Sequence, residues 1–314
     1  MRVTDTEEGS DENERPLRVV IVGSGPSGFY AAEALLKDKA TDVQVDMLDR
    51  LPTPFGLVRG GVAPDHQKIK NVVKVYERIA ADTRFRFYGN VMLGRDISVE
   101  DLRRRYDAIV YAVGCESDRS LGIPGENLAG SHAATEFVGW YNGHPDHREK
   151  KFDLSCERVA VVGIGNVAMD VTRILAKEPD ELADSDIAGY SIDALRESKV
   201  KEVILLGRRG PLQAAFSPKE IKEIDELSTS DLTVLPEEAA LDEASKAAIE
   251  GGVDANDKKN ADFMGEVAAR DNGTQTKKVR VRFCVSPVEI IGTGGKVTAV
   301  RIEKNKLSAV AGGR

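Results

Sequence analysis

The sequence predicts an α/β protein with two parallel sheets, each begun by a strand, a glycine-rich turn and a helix. Residues 19–30 read VVIVGSGPSGFY, and residues 159–170 read VAVVGIGNVAMD. In both stretches a β-branched run, suited to a strand buried on both faces, ends in a glycine turn that helix-forming residues follow. A chain of 314 residues is long enough for two ordinary domains. We therefore expect two α/β units, each able to hold a nucleotide phosphate at its turn.

The composition indicates a globular protein without a membrane span. Hydrophobic residues make up 41% and charged residues 31% of the chain, and no apolar stretch approaches about 20 residues. The net charge of −8 argues against nucleic acid or an anionic membrane as the main partner. Residues 103–105 (RRR) are a local basic cluster that is typical of a solvated helix end.

The termini and cysteines suggest a reducing compartment. Residues 1–16 are polar and acidic, without the apolar core of a secretory signal, so we expect a disordered tail and a cytoplasmic protein. The three cysteines form no CxxC pair, which argues against a redox dithiol or a structural zinc site. We expect three buried, inert thiols.

Local patterns place the elements of the first unit, which we expect to span residues 17–117. The predicted elements are a strand at 17–22, a helix at 29–39, a strand at 41–50, a Pro- and Gly-rich loop at 51–66, a helix at 67–81, and strands at 85–93 and 106–114. Strand, glycine turn, helix, strand is the order of a βαβ unit. A polar turn at 116–130 marks the predicted domain boundary.

The second unit is expected to span residues 118–314. The predicted elements are a strand at 158–163, a helix at 166–177, a long crossover at 178–199, a strand at 200–207, a flexible excursion at 227–278, and an antiparallel pair formed by 278–292 and 295–305.

The first glycine turn has the dinucleotide fingerprint. Gly23 permits the tight turn, Gly25 lets the backbone approach a pyrophosphate, and Gly28 lets the helix pack on the strand. Asp49 ends the second strand, where a carboxylate accepts hydrogen bonds from ribose hydroxyls and repels a 2′-phosphate. The pattern favours FAD or NAD over NADP, and an ordinary glycine turn is the alternative.

The second glycine turn is followed by a strand that ends in residues of the opposite charge. Gly163, Gly165 and Ala168 form the G-x-G-x-x-A variant, and Arg208 and Arg209 follow the next strand. Guanidinium groups can clamp a 2′-phosphate, which favours NADP; a solvated arginine pair is the alternative. We interpret the two turns as sites for two cofactors, between which electrons pass: NADPH delivers a hydride and a flavin accepts it.

Longer motifs resemble one enzyme family. They are GSGPSGFYAAEAL, PFGLVRGGVAPDH, FYGNVMLGRD, IPGE, FVGWYNG, GIGNVAMDVTRIL, and GRRGPLQAAF with Glu220 after it. They resemble the adrenodoxin reductase family of ferredoxin–NADP reductases, bacterial type, over residues 17–226 and again at 279–303. The resemblance implies two Rossmann-like dinucleotide-binding domains with parallel sheets in a glutathione-reductase-like arrangement. It also implies FAD and NADP(H) as cofactors, and an iron–sulfur ferredoxin as the partner that receives single electrons.

The resemblance also implies site residues. The implied FAD contacts are Gly23, Gly25, Pro26, Ser27, Gly28, Asp49, Gly56, Leu57 and Leu93. The implied NADP contacts are Arg119, Gly163, Ile164, Gly165, Asn166, Val167, Arg208, Arg209 and Glu220, the last reaching a ribose. His66 and Glu223, the candidate catalytic residues, match positions near the flavin or the electron-transfer face. We interpret them as tuning or docking residues, because hydride transfer moves no separate proton. Without the resemblance, the sequence around His66 fits a residue at the start of a helix equally well.

One feature of the family is not found in this sequence. Its members return to the flavin domain through a Trp-x-x-Arg-Gly-Pro-x-Gly motif, which these 314 residues lack. We therefore expect an incomplete FAD domain. Two alternatives stay open: another two-dinucleotide flavin oxidoreductase, similar to the small subunit of glutamate synthase, and a truncated NADP-binding remnant without catalysis.

Overall fold

The computed structural model describes residues 15–115, 118–271 and 273–308, which divide into two compact units. Of these residues, the first unit contains 15–59 and 68–115, and the second contains the rest. The predicted disordered tail lies outside the described residues except for Arg15 and Pro16. Arg15 forms an ion pair with Asp107 at 2.6 Å.

The first unit is built around a parallel four-stranded sheet. Its elements are β1 (Leu17–Val22), α1 (Pro26–Lys37), β2 (Val43–Leu48), α2 (Leu57–Gly60), α3 (Gln67–Lys70), α4 (Val73–Ala80), β3 (Phe85–Tyr88), α5 (Val99–Arg105) and β4 (Ala108–Tyr111). The strand order is β3-β2-β1-β4, and all three pairings are parallel. Phe29 on α1 stacks on Tyr76 of α4 with ring centroids 4.8 Å apart. The apolar run of β1 is therefore buried in the middle of the sheet, as predicted.

Several predicted elements of this unit are shorter in the structure, and the strands expected at 41–50 and 106–114 span only Val43–Leu48 and Ala108–Tyr111. The helix expected at 67–81 is divided into α3 and α4, and the strand expected at 85–93 ends at Tyr88. The strand ends there because Asn90 has a φ of 59°, which belongs to a turn.

The second unit contains a parallel four-stranded sheet and an antiparallel pair. Its elements are α6 (Ala134–Tyr141), β5 (Arg158–Val162), α7 (Asn166–Ala176), α8 (Gly189–Arg196), β6 (Glu202–Leu206), α9 (Pro218–Asp225), β7 (Ser230–Val234), α10 (Pro236–Ala239), α11 (Glu243–Gly251), α12 (Ala255–Ala268), β8 (Lys277–Arg282), β9 (Val285–Thr293) and β10 (Lys296–Lys304). The parallel strand order is β5-β6-β8-β7, and β9 pairs with β10.

The second half of this unit differs from the prediction. The segment expected as a flexible excursion supplies β7 to the sheet and contains α10, α11 and α12. Helix α12 buries Ala261, Met264 and Val267, three apolar residues on one face of a polar sequence. Because these residues are few, the sequence shows little periodicity.

The prediction that residues 278–292 form one strand antiparallel to residues 295–305 is also wrong in part. Strand β8 lies between β6 and β7 and is parallel to both, and the antiparallel pair is β9 with β10. The chain turns at Cys284, which has a φ of 54° between β8 and β9. Alternation of apolar residues is the same in parallel and antiparallel strands, so the pattern alone could not separate the two.

The loop residues 60–67 group with the second unit, although the sequence places them inside the first. The reason is a set of ion pairs made by Asp65 and His66 with α7 and α9.

Two further expectations concern cysteines and membrane spans. Cys115 and Cys156 are exposed and Cys284 is half-buried, so the prediction of three buried thiols is wrong. Within the described ranges no helix combines the length and apolar character that crossing a membrane requires.

Candidate functional site

The first glycine turn joins β1 to α1 in a conformation that requires glycine. Gly23 has a φ of 107°, and a Cβ there would lie 2.3 Å from the carbonyl oxygen of Ala112. A Cβ on Gly28 would lie 2.2 Å from the carbonyl oxygen of Gly23. The start of α1 is thus packed directly onto the turn, as the fingerprint predicts.

A further glycine, Gly56, brings its backbone close to Gly25 at this turn. Gly56 has a φ of 50°, and a Cβ on it would lie 2.7 Å from the Cα of Gly25. Gly25 is the N-cap of α1 and Pro26 is its first residue, and no described side chain caps the helix. The first N–H groups of α1 are therefore able to bind an anion. This glycine-lined cradle fits the pyrophosphate of a dinucleotide.

Asp49 holds the turn as well as ending the second strand. Its Oδ2 accepts hydrogen bonds from the N–H of Ser24 at 2.9 Å and from the Ser24 hydroxyl at 2.5 Å. Its Oδ1 accepts one from the N–H of Leu51 at 2.9 Å. A carboxylate has about four acceptor positions, so Asp49 keeps capacity for a ribose hydroxyl. The sequence predicted only the ligand role, and the structure adds the supporting one.

The other predicted FAD contacts are placed differently. Leu57 follows Gly56 and is 68% exposed, and Ser27 on α1 is also exposed. Leu93 lies in a separate loop, where it bridges to Ile97. The structure gathers the glycines, Pro26 and Asp49 at one turn, and Leu93 packs against the cluster that contains Val22 and Leu48, the residues that precede Gly23 and Asp49.

The second glycine turn, in the second unit, faces open space. Gly163 has a φ of 117°, and a Cβ on either Gly163 or Gly165 would meet no atom of the described residues within 4 Å. Val167 on α7 is 55% exposed. Ile164 is buried, and its Cδ1 would lie 2.7 Å from a Cβ on Gly207, so the turn packs against the end of β6. This open, glycine-lined helix start fits a second nucleotide.

The arginine pair follows β6 next to this turn. Arg208 is exposed and Arg209 is half-buried. The backbone carbonyls of Arg208 and Arg209 accept hydrogen bonds from the Nδ2 of Asn305 at 2.8 Å and from the N–H of Cys284 at 3.0 Å. Arg208 makes no ion pair with any described residue. A fixed backbone therefore carries a guanidinium that is available to a phosphate. Arg119, the further predicted contact, is exposed.

The two candidate catalytic residues are brought together within the second unit. His66 Nε2 and Glu223 Oε2 are 2.8 Å apart, although 157 residues separate them in the chain. Asp170 Oδ1 lies 3.6 Å from His66 Nδ1, and Glu220 Oε2 lies 3.9 Å from Nε2. We call His66, Asp170, Glu220 and Glu223 the histidine cluster.

Glu220 lies in this cluster and not at the arginine pair. Ala215 bridges to Gly165, and the N–H of Ser217 donates to Asn166 Oδ1 at 3.0 Å, so the chain leading to α9 is joined to the second turn. The carboxylate of Glu220 itself is buried beside His66 and Arg173. The ribose contact that the resemblance implies for Glu220 stays a prediction.

Arg173, which the sequence analysis missed, supplies the positive charge of the histidine cluster. Its side chain is 3% exposed and pairs with Asp65 at 2.9 Å, with Asp170 at 2.8 Å and with Glu220 at 3.4 Å. Burial works against the charge of Arg173, but the Asp65 hydrogen bond and charge outweigh it and raise the pKa of the guanidinium. A charged residue on the buried face of α7 is the sequence signal that could have indicated it.

The pKa values of the carboxyl groups around Arg173 are shifted in opposite directions. Burial would raise the pKa of Asp65, but the Arg173 hydrogen bond and nearby positive charges lower it to about 2. Burial also opposes the charge of Glu223, whose pKa is nevertheless lowered by hydrogen bonds from His66 and Lys219. For Asp170 and Glu220 burial dominates and the pKa is raised. The cluster therefore holds acids of unequal strength around one imidazole.

A metal ion is a weaker interpretation of the same residues. Ligand atoms of His66, Asp170 and Glu220 lie within 4.8 Å of one another. However, the Arg173 guanidinium already contacts both of these carboxylates. We therefore interpret Arg173, and not a metal ion, as the cation that compensates the negative charge of Asp170 and Glu220.

Comparisons with known proteins agree with this architecture. The family model described as pyridine nucleotide-disulphide oxidoreductase matches residues 17–240. NADPH-ferredoxin reductase FprA of Mycobacterium leprae is 46% identical over 300 residues, covering 94% of this chain and 65% of that protein. The mitochondrial NADPH:adrenodoxin oxidoreductase of Arabidopsis thaliana is 41% identical over 320 residues, covering 97% of this chain and 64% of that protein.

A solved structure shows the same fold. Mycobacterium tuberculosis FprA in complex with NADPH superposes with a TM-score of 0.90 at 46% identity, over 96% of this chain and 66% of that one. The chain spans 64–66% of the length of these relatives. The resemblance to the adrenodoxin reductase family and the two-domain α/β fold are thereby confirmed. The chain belongs to the pyridine nucleotide-disulphide oxidoreductase family.

Proposed function

We propose that the protein carrying this sequence is an NADPH-dependent flavoprotein, a ferredoxin–NADP reductase. It passes a hydride from NADPH to FAD and then single electrons to a ferredoxin. The observation that carries this proposal is the opposite charge beside two glycine turns: Asp49 at the first, and Arg208 and Arg209 at the second. The names of the relatives, NADPH-ferredoxin reductase and NADPH:adrenodoxin oxidoreductase, support it.

FAD is assigned to the first turn and NADPH to the second. Asp49 would accept from a ribose hydroxyl, and its negative charge disfavours a 2′-phosphate. Arg208 and Arg209 would bind that phosphate through charge-assisted hydrogen bonds. FAD supplies the ability to accept a hydride and to release electrons one at a time.

The histidine cluster is assigned a tuning role. His66 and Glu223 hold a proton between Nε2 and Oε2, and Arg173 balances the surrounding carboxylates. This arrangement sets the net charge of the cluster, and the resemblance to the family supports a position near the flavin or the electron-transfer face for His66 and Glu223. We treat His66 and Glu223 as tuning or docking residues, since hydride transfer needs no separate proton donor.

The partner is inferred from the resemblance to the family. The proposed electron acceptor is a small iron–sulfur ferredoxin, and the proposed compartment is the cytoplasm. Docking between charged proteins weakens as salt rises. We expect the KM for ferredoxin to increase with ionic strength; a KM that does not change with salt would contradict the docking proposal.

The test begins with the purified protein carrying this sequence. We expect a yellow protein that NADPH bleaches and that then reduces a ferredoxin. The double variant Arg208→Ala, Arg209→Ala should lose about 100-fold or more in its preference for NADPH over NADH, because two charge-assisted contacts are removed. Arg148→Ala, at an exposed arginine, is the matched control and should leave the preference unchanged.

Three outcomes would separate the alternatives. A colourless protein that binds NADP indicates a non-catalytic remnant. A yellow protein that reduces dyes but not ferredoxin indicates a different flavin oxidoreductase, such as one similar to the small subunit of glutamate synthase. An unchanged nucleotide preference in the double variant contradicts the assignment of NADPH to the arginine pair.

A further inference from the structure

The backbone around Arg208 and Arg209 is held in place by hydrogen bonds to three consecutive carbonyl groups. The carbonyl oxygens of Gly207 and Arg209 accept hydrogen bonds from the N–H groups of Val285 at 2.9 Å and Cys284 at 3.0 Å. The carbonyl oxygen of Arg208, between them, accepts from the side-chain Nδ2 of Asn305 at 2.8 Å. The peptide planes on both sides of Arg209 are thus fixed.

Of these three donors only Asn305 is a side chain. The two backbone donors survive almost any substitution, whereas the bond to Arg208 depends on the identity of residue 305. This bond connects positions that are 97 residues apart, and Asn305 follows directly after β10.

Asn305 is itself held in place. Its Nδ2 also donates to the hydroxyl of Ser286 at 2.8 Å, and its backbone N–H donates to the carbonyl of Cys284 at 2.7 Å. The segment before Cys284 is fixed as well, because the buried Glu238 accepts from the N–H of Phe283 at 3.0 Å and pairs with Arg282 at 2.7 Å. The donor therefore presents its amide from a rigid support.

We propose that Asn305 is a positioning residue for recognition of the 2′-phosphate of NADPH. This inference rests on the proposed function of Arg208 and Arg209. Asn305 acts through the Arg208 carbonyl: without its bond, the peptide plane between Arg208 and Arg209 can rotate. A bidentate clamp requires its groups within about 0.5 Å of their working positions, so the rotation spreads both guanidinium groups away from the phosphate.

The experiment measures binding of two probes by calorimetry to the full protein. The first is 2′,5′-ADP, which carries the 2′-phosphate, and the second is 5′-ADP, which lacks it. We expect Asn305→Ala to weaken 2′,5′-ADP binding about 3- to 10-fold, which corresponds to one neutral hydrogen bond, and 5′-ADP binding less than about twofold. Asn305→Leu keeps the volume of the side chain without its donor and should show the same loss. Asn256→Ala, at an exposed asparagine of the same unit, should change neither affinity.

A parallel measurement on Arg208→Ala separates two kinds of failure. If Arg208→Ala lowers the preference for 2′,5′-ADP and both Asn305 variants leave it unchanged, the positioning role is wrong and the proposed function stands. If Arg208→Ala itself has no effect, the proposed NADPH site is wrong. If the Asn305 variants weaken both probes equally, Asn305 only supports the fold and the inference is overturned.

Discussion

Arg173 donates two hydrogen bonds to Asp65, each 2.9 Å long, although their side chains are only 3% and 11% exposed. The two residues are 108 positions apart, one on α7 and one in the loop 60–67. A pair this buried requires good geometry to offset the loss of hydration, and removing one partner costs more than the pair itself contributes. This relationship leads directly to a pH-dependent prediction.

Asp65→Asn is expected to destabilise the protein in a pH-dependent way. The folded pKa of Asp65 is about 2, below the ordinary value of 3.8, so its ionised form stabilises the fold. The shift corresponds to about 2 kcal/mol of unfolding free energy, fully present above pH 4 or so and lost as pH falls towards 2. Urea unfolding at several pH values should show the wild type and the variant converging below pH 4.

The control for this prediction is Asp193→Asn. Asp193 is 77% exposed and pairs with Arg196 at 3.5 Å on the surface. The variant should change the unfolding free energy by less than about 0.5 kcal/mol at every pH. A constant difference between wild type and Asp65→Asn from pH 7 to pH 2.5 would contradict the depressed pKa of Asp65.

Gly28→Ala should disrupt the first glycine turn. The added Cβ would lie 2.2 Å from the carbonyl oxygen of Gly23, so either α1 or the turn must move. We expect loss of bound FAD and at least about 2 kcal/mol of destabilisation, as for overpacking at a rigid site. Gly189→Ala is the matched control, because a Cβ there would meet nothing within 4 Å in the part of the chain that the structure describes. Visible absorbance and thermal unfolding check both variants; normal flavin content in Gly28→Ala would contradict the cradle.

Tyr106→Phe should change stability at alkaline pH. The Tyr106 hydroxyl donates to the buried Asp46 at 2.7 Å, and Asp46 also pairs with Arg86 at 2.7 Å. Burial, followed by the Asp46 hydrogen bond, raises the pKa of Tyr106 from 10 to about 12. Its protonated form therefore stabilises the fold below pH 10, and this contribution is lost as pH rises through 12.

The Tyr106 variant is best compared by unfolding at pH 8 and pH 11. At pH 8 we expect Tyr106→Phe to lose about 1–2 kcal/mol, and its stability should fall less steeply than that of the wild type as pH rises. Tyr111→Phe, at a tyrosine that is 55% exposed, should change stability by less than about 0.5 kcal/mol at pH 8. Parallel pH curves for Tyr106→Phe and the wild type would contradict the raised pKa of Tyr106.

The stability of variants at Cys284 should depend on how easily the new residue adopts a positive φ. Cys284 has a φ of 54°, a conformation that costs an ordinary residue about 1–2 kcal/mol and a β-branched one more. Cys284→Val is therefore expected to be about 1–2 kcal/mol less stable than Cys284→Gly. At the exposed Cys156, the valine variant should be at least as stable as the glycine variant. Equal stabilities at position 284 would contradict a strained backbone there.

The sequence predicted best those features that depend on neighbouring residues. Strand β1, the turn at Gly23, helix α1 and strand β2 follow from a run of apolar residues and the glycines that interrupt it, and the structure confirms them. The turn at Gly163 and helix α7 are confirmed in the same way. These features need no knowledge of distant parts of the chain.

Contacts between distant segments could not be predicted in this way. The pairing of Arg173 with Asp65 and the bond from Asn305 to Arg208 join residues that share no local pattern. The direction of β8 was missed because its alternating valines fit either kind of sheet, and no glycine or proline marks the turn at Cys284. His66 and Glu223 were found through resemblance to a family, and the structure shows that they touch.

The second unit is not a continuous stretch of the chain. An expression fragment starting at residue 118 would omit Asp65 and His66. Arg173 would then lose its ion pair with Asp65, and Glu223 would lose its contact with His66. A gene cut at the apparent linear boundary would therefore yield a nucleotide-binding half with a damaged interior. Any attempt to transplant the second unit into another protein must carry residues 60–67 along with it.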